Sequence, residues 1–257
     1  MASTSETGHV KNISNFQKLI SFCNGYNAKY NPSREELKIA SLQAKVDAAK
    51  AAVEDAKSKE IILGNATSKR KDAFTGIKSY STKIVNALGV SGVSDNIVKN
   101  AKTINKKMQG QRGSAVEEKE STITPKDNVT EVNTVTASTE VVKSKASASQ
   151  QSFDKLVEHL TGLSELVSSQ PEYIPNETEL QANTIKAYID QLTKANNSVI
   201  EANTDFSNSR ISRDSLLYGE KNGLVDIALD VKNYVKSVFG ATSPQYAQVK
   251  GLSFKRA

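Results

Sequence analysis

Few residues of this chain have the types and spacing for chemistry. Its 257 residues include two histidines, His9 and His159, and a single cysteine, Cys23. A structural zinc site draws four ligands from Cys and His, so this set falls short of one. A di-iron bundle needs Glu-x-x-His on two helices, and the chain does not carry two. Cys23 lies among Leu19, Ile20, Phe22 and Tyr26 at helical spacing, which reads as a small buried hydrophobe rather than a nucleophile. His159, beside Glu158, reads as a surface or seam residue, and His9 as part of a mobile tail. Asp226 and Asp230 stand four apart and share a helical face, as an acid–base pair would. Lys232 and Lys236 interleave with them, so a solvated charged face is the expectation. The glycines fall at helix ends rather than in Walker or Rossmann spacing. No catalytic residue, metal site, cofactor or small-molecule substrate is expected, and the chain does not read as an enzyme.

Basic clusters are the best candidate for a site. Lys69, Arg70 and Lys71 form one, and Lys99, Lys102, Lys106, Lys107 and Arg112 form another with Asp95 as the nearby acid. Lys99, Lys102 and Lys106 step by three and four, so on a helix they share a face. Such a stripe suits the phosphates of a nucleic acid or another polyanion. It equally suits an acidic protein face, of this chain's second half or of a neighbour. No aromatic residue interleaves the second cluster, and no recognised nucleic-acid motif is present. The plain alternative is a solvated face on an over-basic half.

Net charge is +6, unevenly spread. Residues 1–113 hold 19 Lys/Arg against 9 Asp/Glu, while residues 114–257 hold 15 against 19. An asymmetry of this kind points to a polyanion partner or to attraction between the halves.

The elements that carry these residues read as one helical unit written twice. Tyr30, Pro32, Glu36 and Leu37 recur as Tyr173, Pro175, Glu179 and Leu180. The spacing then holds through Leu42 and Ile185, Ala44 and Ala187, Val46 and Ile189, Asp47 and Asp190, and Arg70 and Arg213. Ser33 with Glu36, and Asn176 with Glu179, have the spacing of a helix-capping box. A long helix is predicted from Glu35 to about Phe74, rich in alanine and interrupted only by Gly64. A helix follows near Gly76 in copy one, and over Leu224 to Val238 in copy two. Gly89 and Gly240 end them. The expected fold class is all-α, with two homologous elongated helical-hairpin or bundle units in tandem. The expected divisions are a flexible tail over 1–11, a basic unit over 12–113, a Ser/Thr-rich linker over 114–147 and a mildly acidic unit over 148–257. Weak alternation over Thr130–Thr136 leaves a short strand as the other reading of that linker.

Composition agrees with slim helices. Hydrophobic residues make up 37%, aromatics 6%, and tryptophan is absent, which suits thin Ala/Leu seams rather than a broad sandwich core. The first residues lack a basic stretch followed by an apolar one, so no signal peptide is read. No apolar run approaches a membrane span, and Glu60-Ile61-Ile62-Leu63 is too short for a pore-forming tip. A cytoplasmic location is the expectation.

The chain resembles a family of bacterial proteins of about this length that have no established activity. Two blocks carry the resemblance: Thr103 to Arg112, and Gly223 to Tyr246 followed by Gly251 to Lys255. The resemblance implies tandem helical units joined by a Ser/Thr-rich linker, and it supplies no chemistry. The expected function is therefore that of a non-enzymatic structural or protein-interaction protein. It would assemble with itself through the complementary charge of its two repeat units, or with another protein. Binding of nucleic acid or another polyanion through the basic first half is the alternative.

Overall fold

The computed structural model describes residues 4–111 and 151–256. The linker expected over 114–147, its possible strand, and Arg112 lie outside the described residues. Among the described residues there are eight α-helices and no strand. In chain order they are α1 (Thr4–Gly25), α2 (Ile39–Phe74), α3 (Ile77–Gly89), α4 (Asp95–Met108), α5 (Phe153–Ser168), α6 (Ala182–Tyr218), α7 (Leu224–Phe239) and α8 (Pro244–Lys250). The fold class is all-α.

Positions aligned in the sequence share burial. Leu37, Leu42, Val46, Ala49, Ala56 and Phe74 are buried, and so are Leu180, Ile185, Ile189, Leu192, Val199 and Leu217 at the same spacing. Gly64 leaves α2 unbroken. At 36 residues α2 is roughly 54 Å long.

The start of each long helix differs from the capping box read in the sequence. Glu35–Leu37 and Thr178–Leu180 form single 3-10 turns, neither with a side-chain cap bond. Lys38 and Gln181 are then extended, and α2 begins at Ile39 rather than Glu35. A tyrosine instead closes the loop that precedes each long helix. The hydroxyl of Tyr30 donates to the carbonyl of Leu37 at 2.7 Å, and that of Tyr173 to Leu180 at 2.8 Å. Each ring is buried and each hydroxyl satisfies a buried carbonyl, so the loop closes on its own first residue, seven positions back. Ser33, Glu36, Asn176 and Glu179 are all exposed.

A second difference lies at the beginning of the chain. Residues 4–11, read as tail, belong to α1. His9 is buried, with Nδ1 2.6 Å from the hydroxyl of Tyr218, and this contact holds the first turns of α1 in place.

The chain divides into two compact units, and their limits are not those of the repeat. The first comprises Met1–Ser68 and Ser198–Ala257, and the second comprises Lys69–Asn197. Each therefore combines parts of both sequence copies. In the first, Phe16, Leu19 and Cys23 of α1 share one core with Leu42 and Val46 of α2 and with Leu224, Ile227, Val231 and Val235 of α7. In the second, Ile84 and Leu88 of α3, Ala101 and Met108 of α4, and Leu160 and Leu163 of α5 surround Ile185 and Leu192 of α6. Apolar positions stepping by three and four supply every one of these faces.

Candidate interaction surface

Copy mixing changes the meaning of the charge asymmetry. Counted along the sequence, the first compact unit has 17 Lys/Arg against 13 Asp/Glu, and the second 17 against 15. The imbalance between sequence halves is thus nearly levelled inside each unit. Three ion pairs among the described residues join the copies: Arg34 to Asp230 at 2.6 Å, Lys59 to Asp205 at 3.2 Å and Lys83 to Glu179 at 3.0 Å. In all three, copy one gives the cation and copy two the anion. These three pairs lie within the chain.

What remains is the stripe on α4. Ile97, Ala101, Ile104 and Met108 face the core, where α4 packs against α3 and α5. Lys99, Lys102 and Lys106 lie on the opposite face, exposed, and make no ion pair among the described residues. Side chains of the same helix fix this surface to its neighbour. Ser81 of α3 donates to Asn105 Oδ1 at 2.7 Å, Asn105 Nδ2 donates to Thr82 at 3.2 Å, and Gln109 Nε2 donates to the carbonyl of Lys78 at 2.8 Å. Gly110 then turns the chain at φ +78°, where a Cβ would meet the Gln151 side chain at 3.3 Å. The charged face is exposed but its backbone is held.

The other predicted site residues divide. Lys107 is exposed on the flank of α4, and its charge reaches α5. His159 is held below its ordinary value, chiefly by burial and in part by Lys107 and Lys155, against the opposing pull of Glu158. Lys69 and Lys71 are exposed near the end of α2. Arg70 is a packing residue. Its guanidinium lies 4.2 Å from the centre of the Phe153 ring and donates to Asn196 Oδ1 at 3.0 Å. Asn196 in turn donates to Asp154. The two basic clusters stay on different helices, with no bond between them among the described residues.

The residues weighed for catalysis are spent on structure. Asp230 holds Arg34, while Asp226 accepts from the backbone N–H of Lys221 at 2.9 Å and from Arg256. Burial pushes the Cys23 thiol up to about 12. A groove of about 400 Å³ in the second compact unit runs beside Tyr80 and Tyr188, but both hydroxyls are used on backbone carbonyls, of Glu179 and Ala73. Among the described residues no group of three or more His, Cys, Asp or Glu could hold a metal ion. No helix among them is long and apolar enough to cross a membrane.

Sequence reasoning missed Asn12 and Asn15. Both are buried in α1. A signal was there: Asn12 stands at the head of the stripe Phe16, Leu19 and Cys23, where an apolar residue belongs.

Family models, curated proteins and solved structures all give no match to the chain. The blocks behind the resemblance have packing roles. Thr103 to Gln111 carries Met108 and the Gln109 bonds, and Gly223 to Tyr246 forms the α7 face.

Proposed function

We propose that this is a non-enzymatic structural or protein-interaction protein, and that the α4 face of the second compact unit docks an acidic surface of a partner protein. One observation carries the reading. Arg34, Lys59 and Lys83 spend their charge on copy-two acids, whereas Lys99, Lys102 and Lys106 stand together on a braced helix and make no ion pair among the described residues. Charge complementarity between copies supports cohesion within a chain. An acidic partner is then the counterpart of the lysines that are left over. Electrostatic docking of this kind sets association rate and selectivity.

The same stripe supports a second reading, the binding of a nucleic acid or another polyanion. Three lysines within two helical turns can follow a run of phosphates. Fluorescence anisotropy with labelled polyglutamate and with a labelled DNA duplex, at 50 and 500 mM salt, separates the two. Tighter binding to polyglutamate, lost on replacing Lys99, Lys102 and Lys106 with glutamine, is the expected result. Preference for the duplex, lost in the same variant, selects the second reading. Binding that the triple replacement leaves unchanged removes both.

A further inference from the structure

Beyond α8 the chain leaves regular structure at Gly251, and residues 252–256, without helix or strand, are bonded to α1 and α7 of the first compact unit. Side chains hold the segment by its backbone. Asn12 Nδ2 donates to the carbonyl of Lys255 at 2.7 Å, and Asn12 Oδ1 accepts from the N–H of the same residue at 3.1 Å. Asn15 Nδ2 donates to the carbonyl of Ser253 at 2.7 Å. Lys232 of α7 donates to the carbonyl of Leu252 at 2.9 Å. One helix reads residues 253 and 255, leaving the side chain between them, Phe254, to meet the Phe16 ring edge-on at 6.4 Å between centres. Arg256 closes the far end on Asp226.

This arrangement grips the segment through its backbone. Asn12 is 2% exposed and Asn15 9%, and buried amides of this kind are costly unless bonded. Backbone recognition from the side, with a pocket for every second side chain, is the logic of peptide grooves. The bonds that hold the segment come from α1 and α7 and not from α8, so they do not depend on which chain delivers it.

We propose that the α1–α7 face is a peptide-binding site for the pattern Leu-Ser-Phe-Lys-Arg, filled in cis by residues 252–256, and that the same segment of a second copy fills it in trans. Exchange of an identical element between protomers keeps every contact of the closed chain. The cis segment has the advantage of high effective concentration, so trans occupancy needs the resident segment displaced. The site lies on the first compact unit and is independent of the α4 face.

Two full-length variants test it. Leu252→Asp with Phe254→Asp leaves the groove intact but spoils the segment. Asn12→Leu with Asn15→Leu leaves the segment intact but blocks the groove. Each alone runs as a monomer in light scattering. Mixed at equal concentration, they form a species of twice the chain mass. Two unassociated monomers in the mixture, each with full helical circular dichroism, overturn the proposal. Where either variant loses that helical signal, a labelled peptide of residues 250–257 is titrated into the unmodified chain. Saturable binding, weakened at least tenfold when the peptide carries Phe254→Ala, is then expected, and no binding or equal binding of both peptides overturns it. Neither variant touches Lys99, Lys102 or Lys106, so its failure leaves the α4 reading standing.

Discussion

Arg34 donates to Asp230 at 2.6 Å, linking the loop before α2 to the seventh residue of α7. The corresponding place in the second compact unit holds Lys83, the seventh residue of α3, paired with Glu179 at 3.0 Å. The bridge occurs in both units with its polarity reversed across the elements, yet copy one supplies the cation each time. Reversing one charge, as in Asp230→Arg, is expected to lower the melting temperature by about 1–3 °C, because exposed pairs contribute little. Arg34→Asp with Asp230→Arg restores most of the loss. Thermal melts of the two singles and the double check this, and a double no better than the sum of its singles would contradict it.

Tyr30 and Tyr173 close equivalent loops onto Leu37 and Leu180. Tyr30→Phe and Tyr173→Phe each leave a buried carbonyl without its donor. A cost of about 1–2 kcal/mol is expected for each, read by urea unfolding. The two values should agree closely. A loss at one site only would show that the loops are not equivalent in energy.

Burial raises Cys23 to about 12, while an unfolded thiol titrates at about 8.5. Between those values the unfolded chain has given up its proton and the folded chain has not. The contribution to stability is therefore complete below about pH 8.5 and falls as pH rises toward 12. Burial raises Tyr30 as well, with the same sign. At pH 8 the folded protein should not react with a thiol reagent, and urea should release one equivalent. Cys23→Ala should flatten part of the alkaline loss. Rapid labelling of the folded protein would contradict this account.

Lys69, Arg70 and Lys71 separate by experiment as they do in space. Arg70→Ala removes the Phe153 stack and the Asn196 bond, for an expected loss of about 1–3 kcal/mol. Lys69→Ala and Lys71→Ala should stay within about 0.5 kcal/mol of the parent. Chemical unfolding of the three variants provides the comparison, and three equal values would refute the packing role of Arg70.

Much of the local structure was legible in the sequence. The period of three and four over Leu224 to Val238 gives α7, whereas residues 94–112 read only as a short tail, and the shared face of Lys99, Lys102 and Lys106 follows once α4 forms. The Tyr and Leu positions that align in the sequence, Tyr30 with Tyr173 and Leu37 with Leu180, are buried alike. The start of α1 was hidden, because residues 4–11 carry only one large apolar side chain, Val10, and their anchor, the contact of His9 with Tyr218, spans 209 residues. Which helices share a core was hidden for the same reason. Periodicity states that a face is apolar but not which face covers it, and Lys59 meets Asp205 across 146 residues. Arg70 looked like one of three surface cations, and only the distant Phe153 and Asn196 make it a packing residue.

The most direct test of the docking face is an amide-resolved titration of the full chain with polyglutamate at 50 mM salt. The account predicts shifts concentrated in residues 95–108, abolished at 500 mM salt and in the Lys99→Gln, Lys102→Gln, Lys106→Gln variant. Shifts spread evenly over the chain, centred on another helix, or preserved in the triple variant would contradict it.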